Sequence, residues 1–264
     1  MSSADLAKLD DPTISMNSFY PRRQWIPAPD GAEDHSVAID VTLAVADKIA
    51  GEGGLSCRFF PAEPTSPTIL FFYGNGETAA DYDDIAPLYN QVGINFFVAD
   101  YRGYGRSDGF PAFSTMLADA DKVLKWLTAM LKARGYSCRV FVMGRSMGRH
   151  PAFELAANFG DRLNGLIIES GRPTLGNFTQ GLDSVAAEGL ESKYGAKVRS
   201  IEIPVLVIHG EVDTLAPVEQ AVTMFQGFRS QEKRLLTIPG AGHNDLLQKG
   251  VHEYFAAIKE FVSP

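Results

Sequence analysis

Short, continuous apolar runs alternate with longer amphipathic stretches along the chain after residue 68. An apolar run without polar alternation is typical of a strand that is covered on both faces, as in a parallel sheet. We interpret six runs as such strands, at residues 69–73, 95–99, 140–143, 166–168, 205–208 and 235–238. The stretches between them predict helices at residues 78–92, 114–134, 147–159, 217–228 and 246–262. This alternation predicts an α/β fold, in which helices cover both faces of a mostly parallel sheet.

The chain before residue 68 has a different pattern. Residues 37–45 and 55–60 predict an antiparallel hairpin joined by a glycine-rich turn at 51–54. Residues 1–35 predict an N-terminal arm without regular structure, because they contain many residues that interrupt helices and strands. Those residues are Pro12, Pro21, Pro27, Pro29 and Gly31. Three aromatic side chains, Phe19, Tyr20 and Trp25, predict that the arm nevertheless packs on the domain.

Residues 172–200 are the second departure from the alternation, with weak helical character and several glycines. We expect at most a small cap insert in this segment, because it is too short for a full helical cap domain. The predicted organisation is an arm at residues 1–35 followed by one domain at residues 36–264, which is an ordinary length for a single α/β domain.

Charge and hydropathy narrow the classes of partner. The chain of 264 residues carries a formal net charge of −8, which repels a phosphate backbone and disfavours nucleic acid as a partner. No apolar run approaches the ~20 residues that span a bilayer. The polar, acidic N-terminus lacks the pattern of a signal peptide. We therefore expect a cytoplasmic protein without a membrane-spanning segment, and its oligomeric state stays open.

No metal, disulfide or cofactor is expected. Cys57 and Cys138 are too few for a disulfide framework and are interpreted as reduced thiols. The five histidines and two cysteines show no paired spacing of the kind that binds a metal ion. The glycine-rich stretch 103–109 lacks the placement of a dinucleotide fingerprint, and the chain contains no Walker loop.

A candidate nucleophile follows the predicted strand at residues 140–143. The sequence there is Gly144-Arg145-Ser146-Met147-Gly148, a G-x-S-x-G motif between a predicted strand and a predicted helix. A serine on such a sharp turn has its hydroxyl lifted clear of the sheet. The alternative interpretation is that Ser146 only caps the helix, since serine is a good N-cap residue.

Serine needs an adjacent base, and an acid that orients the base. In this arrangement the acid and then the histidine follow the nucleophile in the chain, each after a later strand. Asp213 follows the strand at residues 205–208, and His243 follows the strand at residues 235–238. We predict these two residues as acid and base. The rival acids near strand ends and the rival histidines are Glu169, Glu211, His209 and His252.

Acyl transfer also needs hydrogen-bond donors for the oxyanion that forms during the reaction. We expect one donor to be the main-chain N–H of Met147, at the start of the helix after the nucleophile. The second expected donor is the main-chain N–H of Asn75, in the glycine-rich loop after the strand at residues 69–73. The alternative for Asn75 is a simple turn before the next helix.

Together these motifs resemble the α/β-hydrolase superfamily over nearly the whole chain after residue 36. The matching segments, in order, are residues 73–76, residues 100–107, the Ser146 motif, and the Asp213 and His243 loops. The likeness is greatest to small serine hydrolases with little or no lid, such as esterases, acyl-protein thioesterase-like enzymes and relatives of prolyl peptidases. The resemblance implies the α/β-hydrolase fold, with a sheet of roughly eight strands and at most a small lid.

Two positions depart from the family pattern. The family usually has histidine at the position of Tyr73, so the hydrogen bonding that holds the next loop is expected to differ. It often has a second glycine at the position of Arg149, and His150 and Pro151 then form an unusual start to a helix. Neither departure removes a predicted catalytic residue.

The predicted function is cleavage of a carboxylic ester or thioester of a small molecule through an acyl-enzyme. The alternatives are a peptidase or amidase with the same catalytic residues, and a binding protein that has kept the fold and lost activity. Phe110, Phe178 and Leu215 are expected to form an apolar substrate pocket if they face it.

Overall fold

A mostly parallel sheet of eight strands forms the centre of the molecule. The computed structural model describes residues 1–23, 38–47 and 51–263. The strands are β1 (Ile39–Asp47), β2 (Gly51–Phe60), β3 (Thr68–Phe72), β4 (Asn95–Ala99), β5 (Val140–Arg145), β6 (Gly165–Glu169), β7 (Val205–Gly210) and β8 (Lys233–Ile238). Their order in the sheet is β1-β2-β4-β3-β5-β6-β7-β8. Only the pairs β1–β2 and β2–β4 are antiparallel. The predicted fold class is confirmed.

The strand order reverses direction at β3. The chain passes from β3 to its neighbour β4 on one side, and then to β5 on the other side of β3. In open α/β sheets, ligands bind beyond the carboxyl ends of the strands at such a switch point. The loops after β3 and β5 therefore lie side by side where a site is expected.

Helices cover both faces of this sheet. They are α1 (Ser3–Leu9), α2 (Pro12–Ser18), α3 (Ala86–Gln91), α4 (Phe113–Ala133), α5 (Arg149–Asn158), α6 (Ser184–Arg199), α7 (Val218–Gly227) and α8 (Leu246–Val262). Phe96 and Phe97 are consecutive on β4, so their side chains point to opposite faces. Tyr89 of α3 stacks on Phe96 at 4.1 Å between ring centroids, whereas Trp126 of α4 lies over Phe97 at 6.0 Å. Helices α3 and α4 thus lie on opposite faces.

The prediction that the arm lacks regular structure is wrong for residues 3–18. Ser2 caps α1 through a reciprocal pair of hydrogen bonds with Asp5, and the Asp11 side chain caps α2. Pro12 is the first residue of α2, where the missing N–H would have no helical partner in any case. Trp25, Pro27, Pro29 and Gly31 lie outside the described residues. The division into an arm and a domain stays a prediction.

The predicted turn at residues 51–54 instead forms the start of β2. Residues 48–50, which connect the two strands, lie outside the described residues. The glycines serve close packing: the Gly54 N–H donates to the Asp108 carboxylate at 2.8 Å, and the Asp108 N–H donates to the Gly54 carbonyl at 2.9 Å. Glycine within a strand often marks such an approach of another backbone segment.

The segment at residues 172–200 contains the whole of α6, a clearer helix than its sequence predicts. Helix α6 connects β6 to β7 and packs against α5 and α7. A cap role for residues 172–200 stays a prediction. Among the described residues, no helix combines the length and apolarity that crossing a bilayer requires.

Candidate active site

The turn at Ser146 is strained. Ser146 has a φ of 51°, in the left-handed region that residues other than glycine rarely adopt. It starts a short 3-10 turn (Ser146–Gly148) between β5 and α5. A Cβ atom on Gly148 would overlap the carbonyl oxygen of Phe72, and one on Gly144 would overlap the carbonyl group of Gly148. The two glycines therefore permit the sharp turn that presents the serine hydroxyl.

The structure brings Ser146, His243 and Asp213 together as one hydrogen-bonded chain. The His243 Nε2 atom lies 2.9 Å from the Ser146 Oγ atom, and the His243 Nδ1 atom lies 2.7 Å from the Asp213 Oδ2 atom. A carboxylate can only accept, so Nδ1 carries the hydrogen and Nε2 is left to accept the serine proton. The two main-chain N–H groups of Leu215 and Ala216 donate to Asp213 Oδ1 at 2.8 Å each.

These donors determine the ionisation of Asp213. Burial raises the pKa of its carboxyl group, but the hydrogen bonds from His243 and Ala216 and the nearby imidazoles outweigh burial. The net effect lowers the pKa of Asp213 below 3.8. The carboxylate therefore stays ionised at neutral pH, which suits a group that orients an imidazole and stabilises its protonated form.

The rival acids and histidines lie outside the hydrogen-bonded chain from Ser146 to Asp213, although the His209 Nε2 atom is 3.4 Å from Asp213 Oδ2. His209 is fully buried, with its Nε2 atom 2.7 Å from the Ala216 carbonyl oxygen, and burial lowers its pKa. His252 is exposed on α8. Glu211 accepts the Gly240 N–H at 2.8 Å. Glu169 binds Arg145 and the Tyr254 hydroxyl.

Asn75 lies in the loop after β3, next to the switch point. Its side chain points to the N-terminal arm: Nδ2 donates to the Ser18 carbonyl at 2.7 Å, and Oδ1 accepts the Tyr20 N–H at 2.9 Å. The Tyr104 hydroxyl donates to the same oxygen at 2.6 Å. Among the described residues, the main-chain N–H of Asn75 has no acceptor, which leaves this donor for a ligand. Met147 follows Ser146 at the start of the 3-10 turn.

Tyr73 anchors this loop through a buried carboxylate. Its hydroxyl donates to Asp100 Oδ1 at 2.9 Å, and the Ala79 N–H donates to the same oxygen at 2.8 Å. The Tyr101 hydroxyl donates to the Tyr73 carbonyl at 2.7 Å. The family departure at Tyr73 therefore replaces a histidine with a residue that is hydrogen-bonded on both its side chain and its main chain.

Two arginines beside Ser146 were not predicted as part of the site. The Arg145 guanidinium forms ion pairs with Glu77 and Glu169 and donates to the Asn244 side chain. Arg149 donates to the Ser146 carbonyl at 2.7 Å and to the Thr174 carbonyl at 2.9 Å. The departure from glycine at position 149 was visible in the sequence, but the ion-pair partners of Arg145 and the Thr174 partner of Arg149 are distant in the chain.

The three residues predicted to line a substrate pocket differ in burial. Phe178 is 3% exposed and packs edge-on against Phe19 and Phe113, so it is part of the core. Phe110 and Leu215 are exposed. None of the three lines the main cleft beside the Ser146 turn. A phenylalanine in a loop can fill the core beneath the loop as readily as it can face a pocket, and the sequence does not distinguish the two.

That cleft has a volume of about 670 Å³ and lies between α3 and α8. Its walls include Leu88 of α3 and Leu247 and Val251 of α8, and one end reaches Arg145 and Asn244. Among the described residues, no group of three or more His, Cys, Asp or Glu side chains is placed to hold a metal ion.

Comparisons with known proteins agree with this architecture. Residues 63–177 match the model of the S33 serine aminopeptidase family. The solved structure of the Pyrococcus furiosus esterase Pf2001 superposes with a TM-score of 0.68 at 20% identity, over 91% of this chain and 97% of the esterase. This chain has the α/β-hydrolase fold.

Two curated proteins are similar to this chain along most of its length. The protein bem46 of Schizosaccharomyces pombe is 28% identical over 95% of this chain and 85% of the relative. The human alpha/beta hydrolase domain-containing protein 17B is 28% identical over 79% of this chain and 71% of the relative.

Proposed function

We propose that the chain is a serine hydrolase that cleaves a carboxylic ester or thioester of a small molecule through an acyl-enzyme intermediate. The observation that carries this proposal is the continuous hydrogen-bonded chain from Ser146 through His243 to Asp213. The match to a serine aminopeptidase family model and the likeness to an esterase structure support the same reaction class.

In the first half of the proposed reaction, Ser146 Oγ attacks the carbonyl carbon while His243 Nε2 takes the serine proton. The negative charge that forms on the carbonyl oxygen is held by the main-chain N–H groups of Asn75 and Met147. Asp213 stabilises the positive charge on the imidazole. His243 then gives the proton to the leaving alcohol or thiol, and the acyl group stays on Ser146.

In the second half, water takes the place of the leaving group. His243 accepts a proton from the water as its oxygen attacks the acyl carbon, and the proton returns to Ser146 Oγ as the acid departs. The same oxyanion donors serve both steps, so one arrangement of residues supports the whole cycle.

The decisive test is a fluorophosphonate probe, with the labelled peptide mapped by mass spectrometry. We expect label on Ser146 in the wild-type protein and none in Ser146→Ala. In His243→Ala labelling should fall sharply, since removing either residue of an intact triad lowers kcat by about 10⁶-fold. A folded wild-type protein that takes no label would contradict the proposal and favour the binding-protein alternative.

A second candidate is a peptidase or amidase with the same residues, which the match to the aminopeptidase family model favours. An amide differs from an ester because its leaving nitrogen must be protonated by the His243 imidazolium before it departs. Paired ester and amide substrates with the same acyl group separate the two. A higher kcat/KM for the amide than for the ester would replace the ester proposal with this one.

A further inference from the structure

The cleft between α3 and α8 has the size and the lining of a site for a small ligand. Its volume of about 670 Å³ lies within the range of roughly 300–1,000 Å³ that ligand pockets occupy. Leu88 on one wall faces Leu247 and Val251 on the other, and all three side chains are half-buried. Apolar side chains from two helices thus remain partly open to solvent along the cleft.

One end of this cleft adjoins the catalytic residues. Arg145 and Asn244, which line that end, directly precede Ser146 and directly follow His243 in the chain. The Arg145 Nη2 atom donates to Asn244 Oδ1 at 2.8 Å, so the two loops meet there. Glu77, from the loop that carries Asn75, lines the same end. Each of the three loops around the reacting centre therefore contributes a residue to the cleft.

The charges at this end are already paired. Arg22 pairs with Asp81, and Arg145 pairs with both Glu77 and Glu169. These five side chains sum to a charge of −1, from two arginines and three carboxylates. A carboxylate or phosphate on the ligand would have to displace one of these partners and would meet an excess of negative charge. A neutral, apolar group would neither displace an ion-pair partner nor be repelled by the negative charge.

We propose that this cleft binds the apolar chain of the substrate, an uncharged hydrocarbon group on the acyl or the alcohol side of the scissile bond. This inference rests on the proposed function, because it places the scissile bond at Ser146. The first turn of α8 carries Leu247 directly after the His243 loop. A chain seated between Leu88 and Leu247 would therefore extend away from the reacting carbonyl.

The test measures kcat/KM for two series of esters. In one, a fixed alcohol carries acyl chains of two to ten carbons, and in the other an acetyl group is joined to alcohols of increasing length. A buried methylene group contributes about fourfold to binding, so wild-type kcat/KM should rise by about that factor per added carbon until the cleft is full. Val251→Trp narrows the cleft and should flatten this rise in kcat/KM. Lys249→Trp, an exposed position on the same helix, is the matched control and should retain the wild-type profile.

If Val251→Trp removes the chain-length dependence of the acyl series, the cleft binds the acyl side of the substrate. If it removes that of the alcohol series, the cleft binds the alcohol side. If Val251→Trp does not fold, Leu247→Ala replaces it, and the expected result is a shift of the optimum to longer or bulkier chains. Chain-length profiles identical to wild type in a folded variant that labels at Ser146 would overturn the cleft proposal alone. Absence of fluorophosphonate label on wild-type Ser146 would overturn the proposed function, and this inference with it.

Discussion

Two arginines flank the nucleophile in opposite electrostatic surroundings. Arg145 lies between Glu77 and Glu169, so its charge has direct partners of the opposite sign. Arg149 is buried, and within the described residues its donors reach two main-chain carbonyl groups, those of Ser146 and Thr174. Burial lowers the pKa of Arg149 to about 10, despite the opposing influence of nearby Tyr194 and Glu191.

The difference separates two ways of supporting an active site. Arg145 balances two carboxylates and links the end of β5 to the end of β6 and to the loops after β3 and β8 by ion pairs and hydrogen bonds. Arg149 instead joins the backbone of the nucleophile turn to the loop after β6, and it leaves a positive charge beside Ser146. Arg145 thus neutralises neighbouring carboxylates, whereas Arg149 stabilises the backbone of the nucleophile turn.

The largest effect is expected from Arg145→Met. The substitution leaves Glu77 and Glu169 without their cation, and breaking a buried ion pair from one side destabilises by roughly 3–5 kcal/mol. Urea denaturation should show this loss in the free energy of unfolding. The double variant Arg145→Met/Glu169→Gln should recover part of the loss, because one unpaired charge is removed. A single-variant loss below that of Arg149→Met would contradict the assignment of Arg145 as the charge-balancing residue.

A smaller loss of stability is expected from Arg149→Met. Two buried carbonyl groups lose their donor, which costs about 1–3 kcal/mol, but no carboxylate is left without a direct partner. We expect kcat for an ester to fall roughly tenfold with little change in KM, since a displaced nucleophile turn impairs the chemical step more than binding. Arg149→Lys should restore part of kcat. An unchanged kcat in Arg149→Met would show that the turn does not depend on this link.

The smallest effect concerns pH and His150. Burial, together with the charge of neighbouring Arg149, holds the pKa of His150 well below 6.5. The unfolded chain therefore binds a proton that the folded chain excludes, so stability falls as pH drops below 6.5. One such group contributes up to about 1.4 kcal/mol per pH unit. His150→Gln should remove this share of the acid slope in urea denaturation at pH 7 and pH 5.

His252→Gln is the control for this measurement, since its ring is exposed on α8 and the slope should not change. If Arg149 contributes to the effect, Arg149→Met should also make the slope shallower. An acid slope that is the same in wild type and in His150→Gln would contradict the prediction for His150.

The sheet and the candidate triad were predictable because each depends on local sequence. Strands β3 to β7 are buried at nearly every position, so each appears as a continuous apolar run that no surface element would show. Ser146 and Asp213 each follow one of these runs, and His243 follows the less buried strand β8. Parallel strands bring their carboxyl ends to one edge, so chain order alone predicts that the three residues are neighbours.

The remainder depends on contacts between distant segments. The glycines of β2 are explained only by Asp108, and the pairing of Arg145 only by loops far away in the chain. Phe178 appeared to be a pocket residue because nothing in the local sequence reveals Phe19 and Phe113 beside it. The proline content led to a wrong prediction for residues 3–18. Pro12 occupies the first position of α2, where proline is well tolerated.

The side chain of Asn75 joins the arm to the loop that carries a proposed oxyanion donor. Two hydrogen bonds with the backbone of Ser18 and Tyr20 make the positions of the two segments interdependent. By thermodynamic linkage, whatever stabilises the loop in its present conformation also strengthens the docking of the arm, and by the same free energy. The docking of the arm is therefore coupled to the conformation of the loop that carries the Asn75 N–H. A change in one is expected to change the other.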